Sequence, residues 1–273
     1  MRADLHVHST ASDGTLTPSE LVEVATARQL DVLAIADHDS VEGLTEARTA
    51  ASHTALKLIP AVELSSVTDS GRDVHILGYF IDPEDESLLL ALESLRHARF
   101  RRAETMVSVL GAAGYPVPFE EVLAISAGGA VGRSHVARAL VSAGHAETVT
   151  EAFERFIGRG RPFYVTKDVT SPAEAIARIR DAGGIAVVAH PGVSKVDDLL
   201  VGLVEVGLGG IEAYHADHSP EQRARYSELA RSLGVLVSGG SDFHGPDAPN
   251  AGLGSVRIPD AAIDALLRAG AEL

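Results

Sequence analysis

His6 and His8 stand two residues apart in RADLHVHSTASDGTLTP, and Asp13 follows in the same stretch. In an extended strand that spacing turns both imidazoles to one side. GSDFH repeats the arrangement with Asp242 and His244. Four more apolar runs carry similar groups: AIADH with Asp37 and His38, AVEL with Glu63, DVHILG with His75 and VVAHP with His190. Imidazole and carboxylate together are ligands for Zn²⁺, Mn²⁺ or Fe²⁺. A single histidine at a strand end carries little information. Six segments that each deliver such groups argue for a metal centre, because gathering them uncompensated in an apolar interior costs several kcal/mol. His53, His97 and His145 fall in helix or loop patterns and are read as incidental.

These groups need elements to position them. DLHVHS, VLAIADH, LKLIPAVELS, DVHILGYF, IAVVAHP, GIEAYH and VLVSGGSDFH read as strands. Capping boxes at Thr17–Glu20, Ser171–Glu174 and Ser219–Gln222, each with proline at the first helical position, should open helices. Glu42 to about Ser52, VDDLLVGLVEV and PDAAIDALLRAG complete the helical set. Alternating strands and helices imply an α/β fold with a parallel sheet. Polar residues at nearly every strand end favour a closed barrel, in which the carboxyl ends of the strands share one face. Residues 86–165 break the rhythm with a mostly helical pattern. They are expected to form an inserted subdomain, with 1–85 and 166–273 building the barrel.

The chain has 273 residues, 45% hydrophobic and 22% charged, with no cysteine. Its length suits one α/β barrel, and neither disulfides nor thiolate ligands are available. No apolar run approaches the roughly 18–20 residues of a membrane span, and no signal-peptide pattern is present. A cytoplasmic enzyme is expected. The net charge of −15 argues against stable binding of duplex nucleic acid. The charge is uneven, however: residues 96–167 hold ten Arg/Lys against six Asp/Glu, and the remainder 13 against 32.

HVHSTASDGTLTP, AIADHDS, AVELS, HILGY, AHP and GSDFHG, in that order, resemble the successive motifs of the PHP (polymerase and histidinol phosphatase) superfamily. The resemblance spans the whole chain, including the VGRSHVARAL stretch. It is nearest to the stand-alone bacterial phosphoesterases, which include nucleoside 3′,5′-bisphosphate phosphatases and related 5′-to-3′ exoribonucleases. It implies a distorted (β/α)7 barrel holding two or three divalent ions. By that resemblance His6, His8, Glu63 and Asp242 would hold the first ion. Glu63 would bridge to a second, completed by His75 and His190. Asp13, His38 and His244 would hold a third. Some relatives have histidine where Asp13 stands; the aspartate leans the site towards Mn²⁺ or Fe²⁺ over Zn²⁺. Asp37 is read as supporting a ligand from behind.

Two such ions suit in-line displacement at phosphorus, so the resemblance implies hydrolysis of a nucleotide phosphomonoester. The preferred substrate is a nucleoside 3′,5′-bisphosphate cleaved at its 3′-phosphate, with a short RNA end or histidinol phosphate as alternatives. Arg133, in VGRSH, is the first candidate to stabilise developing charge, with Ser134 and His135 as further donors; the alternative is a solvated arginine at a helix start. Arg159 and Arg161 form a second basic pair, near Tyr164 and Lys167. His218 is a candidate acid or phosphate ligand, and His215 is read as structural or exposed. A lysine-centred amidohydrolase site is disfavoured, because Lys57 and Lys195 lack a suitable context. A non-catalytic PHP module is disfavoured because all nine ligand positions are filled.

Overall fold

The computed structural model describes residues 1–166, 170–246 and 252–273; Lys167 lies outside the described residues. Seven strands form one sheet in chain order: β1 (Ala3–Val7), β2 (Val32–Ile35), β3 (Lys57–Val67), β4 (Asp73–Tyr79), β5 (Ile185–Val188), β6 (Gly210–His215) and β7 (Leu236–Gly240). β1–β3 pair in parallel, as do β5–β7. β4 is antiparallel to both neighbours, which corrects the all-parallel expectation. The cause is the linker. Only residues 68–72 separate β3 from β4, and a parallel return needs a dozen residues or more. Gly71 takes φ 75° inside this turn, where its N–H donates to the Thr68 carbonyl at 2.7 Å.

Just past β7 the chain reaches back to β1. The Asp242 N–H donates to the His6 carbonyl at 2.9 Å, and the His8 N–H to the Phe243 carbonyl at 2.9 Å. The sheet is thus nearly closed into a barrel. Ala3 and Leu5 join Val32, Ala34, Ile59, Leu77 and Val187 in an apolar cluster. His6 and His8 instead join the polar centre described below, and the β1 register shifts between Asp4 and Val7 where that change of alternation occurs.

Along the barrel run α1 (Pro18–Ala27) and α2 (Leu44–Ala51). The helical segment follows with α3 (Glu86–Ala112), α4 (Phe119–Ser126), α5 (Arg133–Ser142) and α6 (Val149–Ala152), the last running into a π turn at Phe153–Ile157. Next come α7 (Pro172–Asp181), α8 (Pro191–Ser194), α9 (Leu200–Glu205), α10 (Pro220–Leu233) and α11 (Asp260–Ala271). All three capping boxes form, at the starts of α1, α7 and α10. Each such cap is worth about 1 kcal/mol.

The helical segment has its own apolar cluster, with Ala103, Met106 and Leu110 from α3 packed on Val136, Leu140 and Phe156. The first turns of α3 belong elsewhere: Leu88, Leu92 and Leu95 sit in the barrel cluster with Val74, Ile76 and Ile176. A boundary at residue 86 therefore falls at the start of a helix shared by both cores. Polar contacts also join the two parts. The Ala130 N–H donates to the Ala11 carbonyl at 3.0 Å, and Arg99, buried on α3, pairs with buried Asp39 and donates to Ser65 Oγ at 2.7 Å.

Candidate metal centre

Glu63 lies in the middle of β3 and is fully buried. Its two carboxylate oxygens face different imidazoles. Oε1 is 2.8 Å from His75 Nδ1 and 3.2 Å from His190 Nε2. Oε2 is 2.8 Å from His38 Nδ1 and 3.4 Å from both His6 Nε2 and His8 Nε2. Asp242 Oδ1 approaches His8 Nε2 at 3.1 Å and His6 Nε2 at 3.5 Å. His244 Nε2 lies 3.2 Å from Asp13 Oδ1. The antiparallel β4 delivers His75 from its beginning rather than its end, since β4 enters the site from the opposite direction.

The chain is shaped locally to make this convergence possible. His190 and Asp242 adopt left-handed backbone, with φ 28° and 53°, a strain that is tolerated where surrounding structure holds it. Gly240 packs against His6 so closely that a Cβ there would lie 2.4 Å from the His6 Cβ. Asp37 faces away from the imidazoles, as its place in the strand implied. It accepts from Ser9 N, Ser9 Oγ and Ser12 Oγ at 2.6–2.7 Å and so fixes the loop that carries Asp13.

Electrostatics keep the acids ionised. Burial raises the affinity of Glu63 for a proton, but His38, His75 and His6 together outweigh it and hold the carboxyl well below the usual range. Burial is likewise overcome at Asp242, by His6 and His244. Against the opposing effect of burial, Asp13 and Asp242 raise His244 to about 10. His6, His190 and His244 are made more basic by the acids, whereas burial makes His8 and His38 less so.

Proton charge does not complete the hydrogen bonding. His6 Nε2, both nitrogens of His8, His38 Nδ1, Asp13 Oδ1 and Glu63 Oε2 are buried without a hydrogen bond of good geometry. Buried polar atoms are seldom left so. Four groups of side chains bring ligand atoms within 4.8 Å of one another among the described residues: His6–His8–Glu63, His38–Glu63–His75, His8–Asp13–His38–His244 and His6–Glu212–His215. The donor set and its orphaned lone pairs fit divalent cations. His38 belongs to two of the groups, whereas the motif alone had put it only with Asp13 and His244.

The substrate candidates fare unevenly. Arg133 and Arg159 line a cavity of about 390 Å³ together with His38, Glu63, His75, His190 and Asp242. Arg133 is not a solvated helix start. Its guanidinium packs 5.7 Å from the ring centres of both Phe153 and Tyr164, and lies 3.6 Å from Asp73. Tyr164 donates to Asp73 at 3.5 Å, behind Arg133. Ser134 is committed to Asp13, donating to Oδ2 at 2.6 Å. His135 turns inward, where Nδ1 accepts from the Gly132 N–H at 2.9 Å. Arg161 is exposed and outside the cavity lining.

His218 stands outside the cavity lining with both ring nitrogens engaged. Its Nδ1–H donates to the Ala213 carbonyl at 3.0 Å, and Nε2 accepts from the Gly192 N–H at 3.1 Å. Burial also lowers its basicity. His218→Ala is expected to cost about 1–3 kcal/mol of stability, because it leaves buried backbone groups unpaired. Turnover should fall less than ~10-fold, the lower edge of what a general acid contributes. Urea denaturation and steady-state kinetics on one preparation check both.

Sequence reading missed three residues. Glu212 accepts from His6 Nδ1 at 2.9 Å and from the His190 N–H at 2.7 Å, tying two strands' ligands together. Its signal was a lone acid inside the buried strand GIEAYH. Asp73, beside Arg133, read only as a strand start. His215, read as structural or exposed, is buried and directs Nε2 towards Asp242 Oδ2 at 3.5 Å.

The PHP domain family matches residues 4–160. A 3′,5′-nucleoside bisphosphate phosphatase of Chromobacterium violaceum is 36% identical over 249 residues, covering 89% of this chain and 87% of its own. The 5′-3′ exoribonuclease Rnm of Escherichia coli is 36% identical over 250 residues, covering 89% and 85%. Among solved structures, one from Bifidobacterium adolescentis, described as an inferred metal-dependent phosphoesterase, superposes with a TM-score of 0.89 at 36% identity. It covers 97% of this chain and 95% of its own. Among the described residues no helix is long and apolar enough to cross a membrane. The family match takes in β1–β4, which carry or lead into His6, His8, His38, Glu63 and His75, and the chain belongs to the PHP domain family.

Proposed function

We propose that this enzyme is a metal-dependent phosphatase that removes the 3′-phosphate from nucleoside 3′,5′-bisphosphates. The observation that carries the reading is the cavity itself. One wall is the buried cluster around Glu63, and the same cavity is lined by Arg133 and Arg159. Its volume of about 390 Å³ is in the range of small-molecule sites. A substrate with two phosphates can address both sets of groups.

His6, His8, Glu63 and Asp242 would hold one ion, Glu63 with His75 and His190 a second, and Asp13, His38 and His244 a third. When bound, such ions polarise phosphoryl oxygens and generate a nucleophile from water at neutral pH. Mn²⁺ is the preferred ion, because the Asp13 carboxylate adds an oxygen donor where a histidine could stand, with Fe²⁺ or Zn²⁺ as alternatives. The chain's own contribution is positional. Glu212 fixes the His6 ring, and the His244 Nδ1–H donates to the Asp242 carbonyl at 2.8 Å, which turns its Nε2 inward. Arg133, braced by two rings and Asp73, presents a planar donor to the phosphate that is not cleaved.

A second reading, supported by the relative named as a 5′-3′ exoribonuclease, puts an RNA 5′ end in the same cavity. Phosphate release from adenosine 3′,5′-bisphosphate, histidinol phosphate and a 5′-phosphorylated oligoribonucleotide separates these. The bisphosphate should be the best substrate by kcat/KM. Preference for the oligonucleotide would shift the assignment to the second reading, and turnover of histidinol phosphate alone would refute both. Asp13→Ala should lower metal content by up to one ion per chain and reduce turnover; unchanged elemental analysis would remove Asp13 from the ligand set.

A further inference from the structure

His215 is a buried imidazole beside the cluster for which the metal reading has no use. It stands at the end of β6 and is 1% exposed. The cavity lining does not include it. Its Nε2 is buried without a hydrogen bond of good geometry and points at Asp242 Oδ2, 3.5 Å away.

The hydrogen bond at the other ring nitrogen identifies what Nε2 offers. His215 Nδ1 accepts from the Asp217 N–H at 3.1 Å. A neutral imidazole that accepts at Nδ1 carries its proton on Nε2. His6 and His244 are the opposite case. Each donates from Nδ1, to Glu212 Oε1 at 2.9 Å and to the Asp242 carbonyl at 2.8 Å, and so turns Nε2 into the cluster, where a bound cation would displace its proton. His6 and His244 can therefore ligate through Nε2, whereas His215 can only donate. The side chain of Asp242 lies between these two kinds of imidazole. Its Oδ1 faces His8 and His6, and its Oδ2 faces His215.

We propose that His215 is a positioning residue whose Nε2–H holds Asp242 Oδ2, so that Asp242 meets a metal through Oδ1 alone. The role rests on the metal reading given under Proposed function. Asp242 needs this help, because its backbone sits in the left-handed region at φ 53°, held there by its N–H bond to the His6 carbonyl of β1, and this fixes where its carboxylate emerges.

Side-chain amides separate the two ring nitrogens. In His215→Gln an amide N–H can take the place of Nε2–H. In His215→Asn the amide reaches only as far as Nδ1, which keeps the acceptor for Asp217 and loses the donor to Asp242. Mn²⁺ binding to chelator-stripped protein is measured by titration calorimetry, alongside thermal melting of the metal-free chains. His215→Gln should bind within about threefold of the native chain. His215→Asn should bind about 10–100-fold more weakly, the usual consequence of losing an outer-shell partner, at an unchanged metal-free melting temperature. His215→Phe, which fills the volume without a donor, should match Asn and stands in for it if Asn does not fold. Pulsed EPR of the Mn²⁺-loaded native and Asn chains should count the same number of coordinated imidazole nitrogens. Loss of one nitrogen would make His215 a ligand and overturn the proposal. Asn binding as well as native, or Gln as poorly as Asn, would also overturn it. A native chain that takes up no Mn²⁺ would instead overturn the metal reading on which the proposal depends.

Discussion

Glu63→Gln removes at least ~10²–10³-fold of turnover while leaving the fold intact, and Asp242→Asn does the same. That magnitude is typical of deleting one preorganised electrostatic contact to a reacting centre. The argument is geometric. Glu63 Oε1 and Oε2 serve separate imidazole sets at 2.8–3.4 Å, so one substitution disturbs two groups of candidate ligands at once. Glutamine keeps the shape of the side chain and loses its charge. The metal-free melting temperature should therefore stay within a few degrees of the native value, with metal content lowered by one ion or more. Elemental analysis, thermal melting and phosphate release on one preparation decide the matter. Normal metal content with normal turnover in either variant would mean that the cluster is not the reaction centre.

Arg133→Ala lowers kcat/KM for a nucleoside 3′,5′-bisphosphate by roughly ten- to a thousandfold, the loss of one or two charge-assisted hydrogen bonds. A small activated phosphoester with no second phosphate should lose much less. The difference between the two substrates is the informative quantity. Binding energy from a remote, non-reacting group positions the scissile one, and Arg133 lines the same cavity as the Glu63 cluster. Its ring-stacked guanidinium, 3.6 Å from Asp73, is already in place before substrate arrives. Equal losses on both substrates would assign Arg133 to the reacting phosphate. No loss on either would return it to a structural role.

The polar centre was largely legible because its chemistry is concentrated at strand ends. HVH, ADH, AHP and SDFH each place an imidazole where an apolar run stops, and alternation within a strand indicates which neighbours share a side. Three kinds of information were not legible. Chain direction was the first: the rule of alternating strand and helix pointed to a parallel β4, although the short TDSGR connection permits only a hairpin. Ring orientation was the second. His215 and His218 lie in one tight turn, EAYHADHS, and only the hydrogen bonds at Ala213, Asp217 and Gly192 show which faces the cluster. Helix phase was the third. VGRSH presented Arg133, Ser134 and His135 as one donor group, but at the first turn of α5 they diverge. Arg133 faces the cavity, Ser134 grips Asp13 and His135 folds back on Gly132.

Helix α3 runs unbroken from Leu88 in one core to Leu110 in the other, with neither glycine nor proline between them. A rod of this kind transmits position rather than allowing a hinge, since bending it would sacrifice its internal hydrogen bonds. The modularity suggested by the chain's charge pattern is therefore deceptive for anyone wishing to exchange the helical segment between relatives. A graft cut at residue 86 would carry off Leu88, Leu92 and Leu95, and with them part of the recipient barrel's own interior. The transferable cassette begins further along, after Arg99 has made its contact with Asp39 and before Ala103 enters the second core.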